Sequence, residues 1–284
     1  AFTIGFEGNA EGIDEIDYAK QTAQVLGLDH FCARIGFSDF MSSLSNIIRI
    51  VEEPIGTTSI IPMYSLSAMA AAKVKVVLSG QGADEPLGGY RKYRALPWLN
   101  KARFFKFIYG SPYVYRVLNI KSENIRRFLS ALKADNFLDS YLNFNSVFSK
   151  SQLKDLINPT SAASMLDSVE QNLAFYKANW DAQKPDISNA KDLFLYYDTR
   201  TSLADDLLMY PDKITMNFSV ECRVPLLDND LVRFIESLDC KHKFNSTTGK
   251  IIHKEFAKEY LPSFIIERRK LGFKSPTSLW FKEQ

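Results

Sequence analysis

Val74-Lys75-Val76-Val77-Leu78-Ser79-Gly80-Gln81-Gly82-Ala83-Asp84-Glu85-Pro86-Leu87-Gly88-Gly89-Tyr90 begins with an apolar run, Val76-Val77-Leu78, that predicts a short buried strand. Ser79-Gly80-Gln81-Gly82 follows at once, and then two carboxylates, Asp84 and Glu85. Glycines directly after a buried strand let backbone come close to a ligand. Acidic residues beside them can hold a hard cation on that ligand. Strand end, glycine turn and carboxylate together predict a nucleotide and magnesium corner of an α/β enzyme. The plainer alternative is a tight strand-to-helix turn with Asp84 and Glu85 at a helix start. A lone Gly-x-Gly would favour that alternative. The added acidic pair and the Gly88-Gly89-Tyr90 exit favour the functional one.

Outward from this corner the pattern stays α/β. Phe2 to Phe6 and Phe31 to Ile35 are predicted strands. Glu11 to Leu26, Asp39 to Val51 and Pro62 to Lys73 carry helical spacing, the second with Leu44, Ile47, Ile48 and Val51 on one face. Strand-helix-strand-helix-helix-strand with short connections implies a parallel sheet with right-handed crossovers. In such sheets ligands sit beyond the carboxyl ends of the strands, which is where Ser79 to Asp84 lies. From Arg91 the texture changes to long amphipathic stretches rich in Phe, Tyr and Leu, from about Phe104 to Leu156 and from Ala163 to Trp180. These read as helices capping the sheet. Asp192 to Asn217, with Pro211 inside it, reads as one or two helices, and Asp230 to Leu238 and Lys250 to Tyr260 as further ones. The expected division is residues 1–90 as an α/β nucleotide-binding part, 91–190 as a variable helical part and 191–284 as a helical part completing the site. No low-complexity linker separates them, so one compact unit is expected.

The chain has 284 residues and a formal net charge of +2, so electrostatics favours neither nucleic acid nor membrane as a partner. Three widely spaced cysteines, Cys32, Cys222 and Cys240, form no metal-ligand pattern and fit a reducing, cytoplasmic setting. No apolar segment is long enough to cross a bilayer. The chain opens directly on a strand pattern at Phe2, which is the expectation for a piece of a longer protein.

Two further segments carry candidate chemistry. Between Asp212-Lys213 and Glu221-Cys222-Arg223-Val224-Pro225-Leu226-Leu227-Asp228, Pro225 restricts Val224 to an extended conformation. Arg223 and Asp228 are close enough to pair, which would brace a rigid corner that supports a site. Asp212 and Lys213 stay open. Arg268-Arg269-Lys270-Leu271-Gly272-Phe273-Lys274 is either a solvated basic face or a phosphate clamp. His30, His242 and His253 share no ligand spacing and read as structural or surface residues.

With these motifs in place, the chain resembles the synthetase domain of glutamine-dependent asparagine synthetases. The matching blocks are Phe2-Thr3-Ile4-Gly5-Phe6, then Glu53-Pro54 with Ile61-Pro62-Met63-Tyr64, then Ser79 to Glu85 with Gly88-Gly89-Tyr90. Asp212-Lys213 to Asp228 follows, and after it Gly249-Lys250, Leu261-Pro262 and Lys270-x-Gly272-Phe273-x-x-Pro276 with Trp280. They occur in the family's order, and Arg91 to Ile187 matches only loosely. The resemblance implies a parallel sheet of the adenine nucleotide alpha-hydrolase (ATP pyrophosphatase, HUP-like) type with an extensive helical C-terminal part.

It also implies roles. Ile4 would hold adenine through its backbone, and Ser79, Gly80 and Gly82 would bind ATP. Asp84 would be a Mg2+ ligand. Lys270 would stabilise the adenylation transition state on the phosphates, and Asp206, or its neighbour Asp205, would lie near the acyl-acceptor pocket. The implied reaction joins the aspartate side-chain carboxylate to the α-phosphate of ATP, releases pyrophosphate, and lets ammonia displace AMP. The implied partners are that small carboxylate and ammonia from a glutaminase domain, with a homodimer left open.

Three departures stand out. The family's Ser-Gly-Gly-x-Asp-Ser pyrophosphate loop is not in the chain, and neither is the glutaminase domain with its cysteine nucleophile. Gln81 stands where asparagine synthetases typically carry glutamate and β-lactam-forming relatives carry tyrosine. A glutamine can hydrogen-bond but cannot take a proton. The alternatives are therefore a same-fold amidotransferase or cyclase acting on a sugar acid, a peptide or a β-lactam precursor, or a non-catalytic domain that binds a nucleotide or a partner.

Overall fold

Strand β1 (Phe2–Phe6) pairs in parallel with β2 (Phe31–Ile35), Phe2 opposite Phe31 and Phe6 opposite Ile35. Helix α1 (Ile16–Val25) makes the crossover between them. Both strand boundaries coincide with those expected from the sequence. The computed structural model describes residues 1–8, 15–54, 56–102, 123–134, 136–148, 150–183, 190–268 and 275–283. These fall into two compact units. One, the α/β unit, comprises Ala1–Gln81, Ser202–Asp228 and Lys254–Gln284. The other, the helical unit, comprises Gly82–Thr201 and Asn229–His253.

In the α/β unit, α2 (Phe37–Val51) and α3 (Ile60–Ala71) follow β2, and the helix Met209–Asn217 packs on both. The apolar core is built on Ile4, Phe6, Ile47, Val51, Ile61 and Trp280, each under 9% exposed. Each side chain of this size removed from water contributes about 1.5–3 kcal/mol. The core face of α2 differs from the expected stripe. Phe40, Ile47 and Val51 are buried, whereas Ile48 is 62% exposed. Asp39 Oδ2 accepts a 2.8 Å hydrogen bond from Gly36 N and so fixes the start of this helix.

β3 (Val76–Leu78) pairs in parallel with β4 (Glu221–Arg223), a strand the sequence pattern did not disclose. The ladder continues at both ends, with Glu221 N donating to Lys75 O and Ser79 N donating to Arg223 O, both at 2.8 Å. The expectation of burial for β3 is corrected. Val76 is 41% and Leu78 73% exposed. Among the described residues β3 has one partner strand, β4, and little of the unit covers its faces.

The helical unit is organised on Ala190–Arg200, a helix with every residue from Asp192 to Thr199 buried. Around it lie Arg91–Ala102, Phe137–Asn145 and Pro159–Gln183. Its core is largely aromatic, and Tyr141 sits edge-on to Phe194 and Tyr197 at 4.8 and 5.0 Å. Asp198, fully buried at 0% exposure, lies inside that core. It accepts hydrogen bonds from the hydroxyls of Tyr93 (2.6 Å) and Tyr141 (2.9 Å) and pairs with Lys92 Nζ at 2.5 Å. A second buried pair joins Lys243 Nζ to Asp192 at 2.9 Å, with the Cys240 thiol donating to the same oxygen. No helix among the described residues is long and apolar enough to cross a membrane.

Candidate functional site

The Ser79–Asp84 turn begins where the β3–β4 ladder ends. Ser79 N closes the ladder on Arg223 O, and Ser79 Oγ then accepts from Gln81 N at 3.3 Å. Among the described residues nothing would lie within 4 Å of a Cβ on Gly80. Gly82 has φ +81°, a left-handed conformation that only glycine adopts without strain, so it reverses the chain into Asp84–Leu87. Gln81 is half-buried, and its Oε1 finds no hydrogen-bond partner among the described residues. Burial pushes the thiol of Cys222, on β4, above its ordinary value. Ile4 lies in β1 and is 4% exposed.

A second cluster in the α/β unit surrounds Asp206. Ser202–Leu207 forms a π-helical turn in which Leu208 N donates to Leu203 O at 2.9 Å. Such turns are rare and are frequent at functional sites. Asp206 is exposed, yet the surrounding protein disfavours its charge and holds its carboxyl above the usual range. Close by, burial pushes the Tyr210 hydroxyl up to about 12, partly offset by a hydrogen bond with Ser59. Tyr210 and Ser59 were not anticipated. Between the two aspartates the sequence left open, a shift is resolved for Asp206.

In the helical unit, Asp84 opens the short helix Asp84–Leu87 and forms an ion pair with Lys250 Nζ at 3.0 Å, both side chains being roughly four-fifths buried. Lys250 has φ +56° and donates its backbone N–H to Leu87 O at 3.1 Å. Gly89 leaves room for the pair. A Cβ on it would lie 1.9 Å from Asp84 Oδ1 and 2.5 Å from Lys250 Cε. His253 is half-buried beside them, and burial, then the charge of Lys250, hold its imidazole below the ordinary value. Behind Asp84, Glu85 is 2% exposed. Burial raises its carboxyl, against a 2.6 Å hydrogen bond from the Tyr90 hydroxyl, and its second oxygen has no partner among the described residues.

The remaining candidates separate. Lys270 lies outside the described residues. Its neighbour Arg268 donates to Tyr18 O at 3.2 Å and Thr22 Oγ1 at 3.1 Å on α1. Lys213 is a structural tie: its Nζ donates to Val51 O at 2.7 Å at the C-terminus of α2, beside Glu52, which has φ +60°. Arg223 pairs with Glu221 at 2.8 Å rather than with Asp228, because β4 extends Arg223 along the strand. Among the described residues no three His, Cys, Asp or Glu side chains are grouped to hold a metal ion. A lone carboxylate such as Asp84 could hold Mg2+ only together with substrate phosphates and water, which is how that cation is usually bound. Asp84 already stabilises one cation, the Lys250 ammonium.

Two short parallel ladders among many helices define an α/β protein. The comparisons make this specific. The asparagine synthase family model matches residues 1–284, and the chain belongs to that family. It is 28% identical over 285 residues to asparagine synthetase [glutamine-hydrolyzing] 1 of Bacillus subtilis, a match covering 100% of this chain and 43% of that protein. It is 29% identical over 286 residues to a putative asparagine synthetase [glutamine-hydrolyzing] of Mycobacterium bovis, with 99% and 42% covered. An enzyme named amidase chyE, of Penicillium rubens, is 22% identical over 302 residues, with 98% and 44% covered. The chain thus spans less than half the length of these relatives.

Proposed function

We propose that the chain is the synthetase part of an ATP-dependent, amide-forming ligase, on the adenine nucleotide alpha-hydrolase type of sheet, acting in the cytoplasm. Family membership over residues 1–284 supports the class. The observation that carries the site is the Asp84 carboxylate, held against a cation at the exit of the Ser79–Gly82 turn. Ser79, Gly80 and Gly82 bind the nucleotide, and the clearance around a Cβ built on Gly80 supports a close backbone approach there. Ile4 offers backbone to the base. An aspartate side-chain carboxylate oxygen attacks the α-phosphorus of ATP and pyrophosphate leaves. Ammonia, delivered by a glutaminase domain, then attacks the acyl carbon and AMP leaves.

Mg2+, when bound, would neutralise phosphate charge next to Asp84. Lys270 adds positive charge on the same phosphates, and positioning supplies much of the remainder. Asp206, with its carboxyl above the usual range beside Tyr210, contacts the acyl acceptor. Gln81 orients the acceptor or the incoming amine by hydrogen bonding, since its carboxamide cannot act as a base. The test is pyrophosphate release by the intact protein with ATP, Mg2+, aspartate and ammonia. Wild type should release it, Asp84→Asn and Lys270→Ala should lose most of that activity with the fold retained, and the 284-residue chain alone should show no turnover. Undiminished release by Asp84→Asn would remove the assignment.

Gln81 supports a second reading, an acyl acceptor other than aspartate. A screen of carboxylates for AMP formation separates the two: AMP with aspartate alone eliminates the second, and AMP with a different carboxylate alone eliminates the first.

A further inference from the structure

We propose that Lys250 is a positioning residue that occupies the cation's place at Asp84 and yields it to a divalent cation. This rests on the reading of Asp84 as a cation ligand. Three features of the helical unit converge on it. First, the ammonium lies 3.0 Å from Asp84 Oδ1, with the lysine side chain 23% and the aspartate side chain 17% exposed, so the contact is largely removed from water. Ion pairs in such surroundings are less screened than those at the surface.

Second, Lys250 holds φ +56°, a conformation that is uncommon for residues with a Cβ and that glycine adopts freely. Glycine stands immediately before it, at Gly249, and would relieve that strain if it stood at 250 as well. A lysine kept in a strained backbone is expected where its side chain is needed at that spot. Third, the pair fills the space that Gly89 leaves vacant. A Cβ on residue 89 would overlap both the carboxylate oxygen and Lys250 Cε. The chain has therefore left room at residue 89 for this one contact.

The chemical consequence is competition. A divalent cation brought to this carboxylate meets the repulsion of the ammonium already paired with it, so the two compete for the Asp84 charge. While Lys250 is bound, Asp84 is held in one orientation, with its charge compensated and a bare metal ion disfavoured. When a divalent cation arrives with phosphate oxygens to complete its coordination, the stronger field displaces the ammonium. Asp84 then ligates without having to be ordered from a free rotamer.

The test uses the 284-residue chain, no nucleotide, and Mn2+ as the probe, a hard cation that shares oxygen ligands with Mg2+. Free Mn2+ is measured by electron paramagnetic resonance in a titration of wild type, Lys250→Gly, Lys250→Met and the double variant Lys250→Gly with Asp84→Asn. Lys250→Gly guards against misfolding, because glycine fits φ +56° without strain. The expected result is that both Lys250 variants bind Mn2+ more tightly than wild type, by a few-fold to about tenfold, the range of a part-buried ion pair. The double variant should lose that gain. Lys250 variants that bind Mn2+ no more tightly than wild type overturn the proposal. A gain that survives in the double variant instead places the metal away from Asp84, and it is then the reading of Asp84 as ligand that fails. A purely structural lysine would change the unfolding midpoint but would not raise metal affinity.

Discussion

The two units handle charge in opposite ways. In the α/β unit the described ion pairs lie at the surface: Lys213 with Glu52, whose side chain is 73% exposed, Arg223 with Glu221, at 61% and 56%, and Lys258 with Glu255, at 57% and 62%. Its buried polar residues are Ser59, Ser67, Thr215 and Ser275. Every buried charged residue among those described, Glu85, Asp192, Asp198 and Lys243, belongs to the helical unit. The α/β unit is held by strand ladders and an apolar core, and among its charges Lys213 ties the end of α2. The helical unit has carboxylates inside an aromatic core, where each must be matched by a donor or remain costly. Stability of the first should be nearly insensitive to single charge changes, and stability of the second strongly dependent on them.

The sharpest way to break this contrast is Asp198→Ala. It strands the hydroxyls of Tyr93 and Tyr141 and leaves the Lys92 ammonium without its carboxylate, and should cost about 3–5 kcal/mol in urea unfolding. A loss under 1 kcal/mol would mean the buried network is not what holds the helical unit. Gly89→Ala should come next. Its methyl group would collide with the Asp84–Lys250 pair, and the forced shift should cost about 1–3 kcal/mol by the same measurement. Lys213→Met in the α/β unit removes one donor from the end of α2 and should cost about 1 kcal/mol, the worth of an ordinary hydrogen bond. A larger loss there than at Asp198 would reverse the comparison.

The smallest effect concerns pH. Burial holds the Glu85 carboxyl above its ordinary value of 4.5 in the folded state. The native protein therefore binds this proton more tightly than the unfolded chain does. The resulting stabilisation is full below about pH 4.5 and is lost as pH rises through the raised folded value. Glu85→Gln keeps an acceptor for the Tyr90 hydroxyl and removes the titration. Across that window, wild type should lose stability relative to Glu85→Gln, as read from unfolding midpoints at stepped pH. Parallel curves would show that Glu85 does not titrate between the two states.

What the sequence disclosed depended on range. β1 and β2 carry their signal within five residues each, and their boundaries are read directly. Gly82 is marked by its own φ requirement, and the order of motif blocks was enough to place the chain in its family. β4 was missed because Glu221-Cys222-Arg223 is three residues long and not apolar, and only its pairing with β3 makes it a strand. The Asp198 network was hidden because Tyr93 and Asp198 are 105 positions apart and neither stands out locally. Lys250 was visible as part of a Gly-Lys pair, but nothing in its neighbours names Asp84 as its contact. Ile48 shows the limit of periodicity, since a helical stripe says which residues share a face and not how wide a face the core covers.

The exposure of Val76 and Leu78 has a practical consequence for anyone handling the chain in solution. A parallel strand with one partner among the described residues and exposed apolar side chains is a template on which a second molecule can add its own strand. Lys73 and Lys75, both exposed, stand at the entrance to that strand, where like charges on approaching copies repel. Colloidal stability of the chain should therefore be set at these few residues. Raising ionic strength would screen the lysines and promote clumping, and acetylating them would do the same without salt.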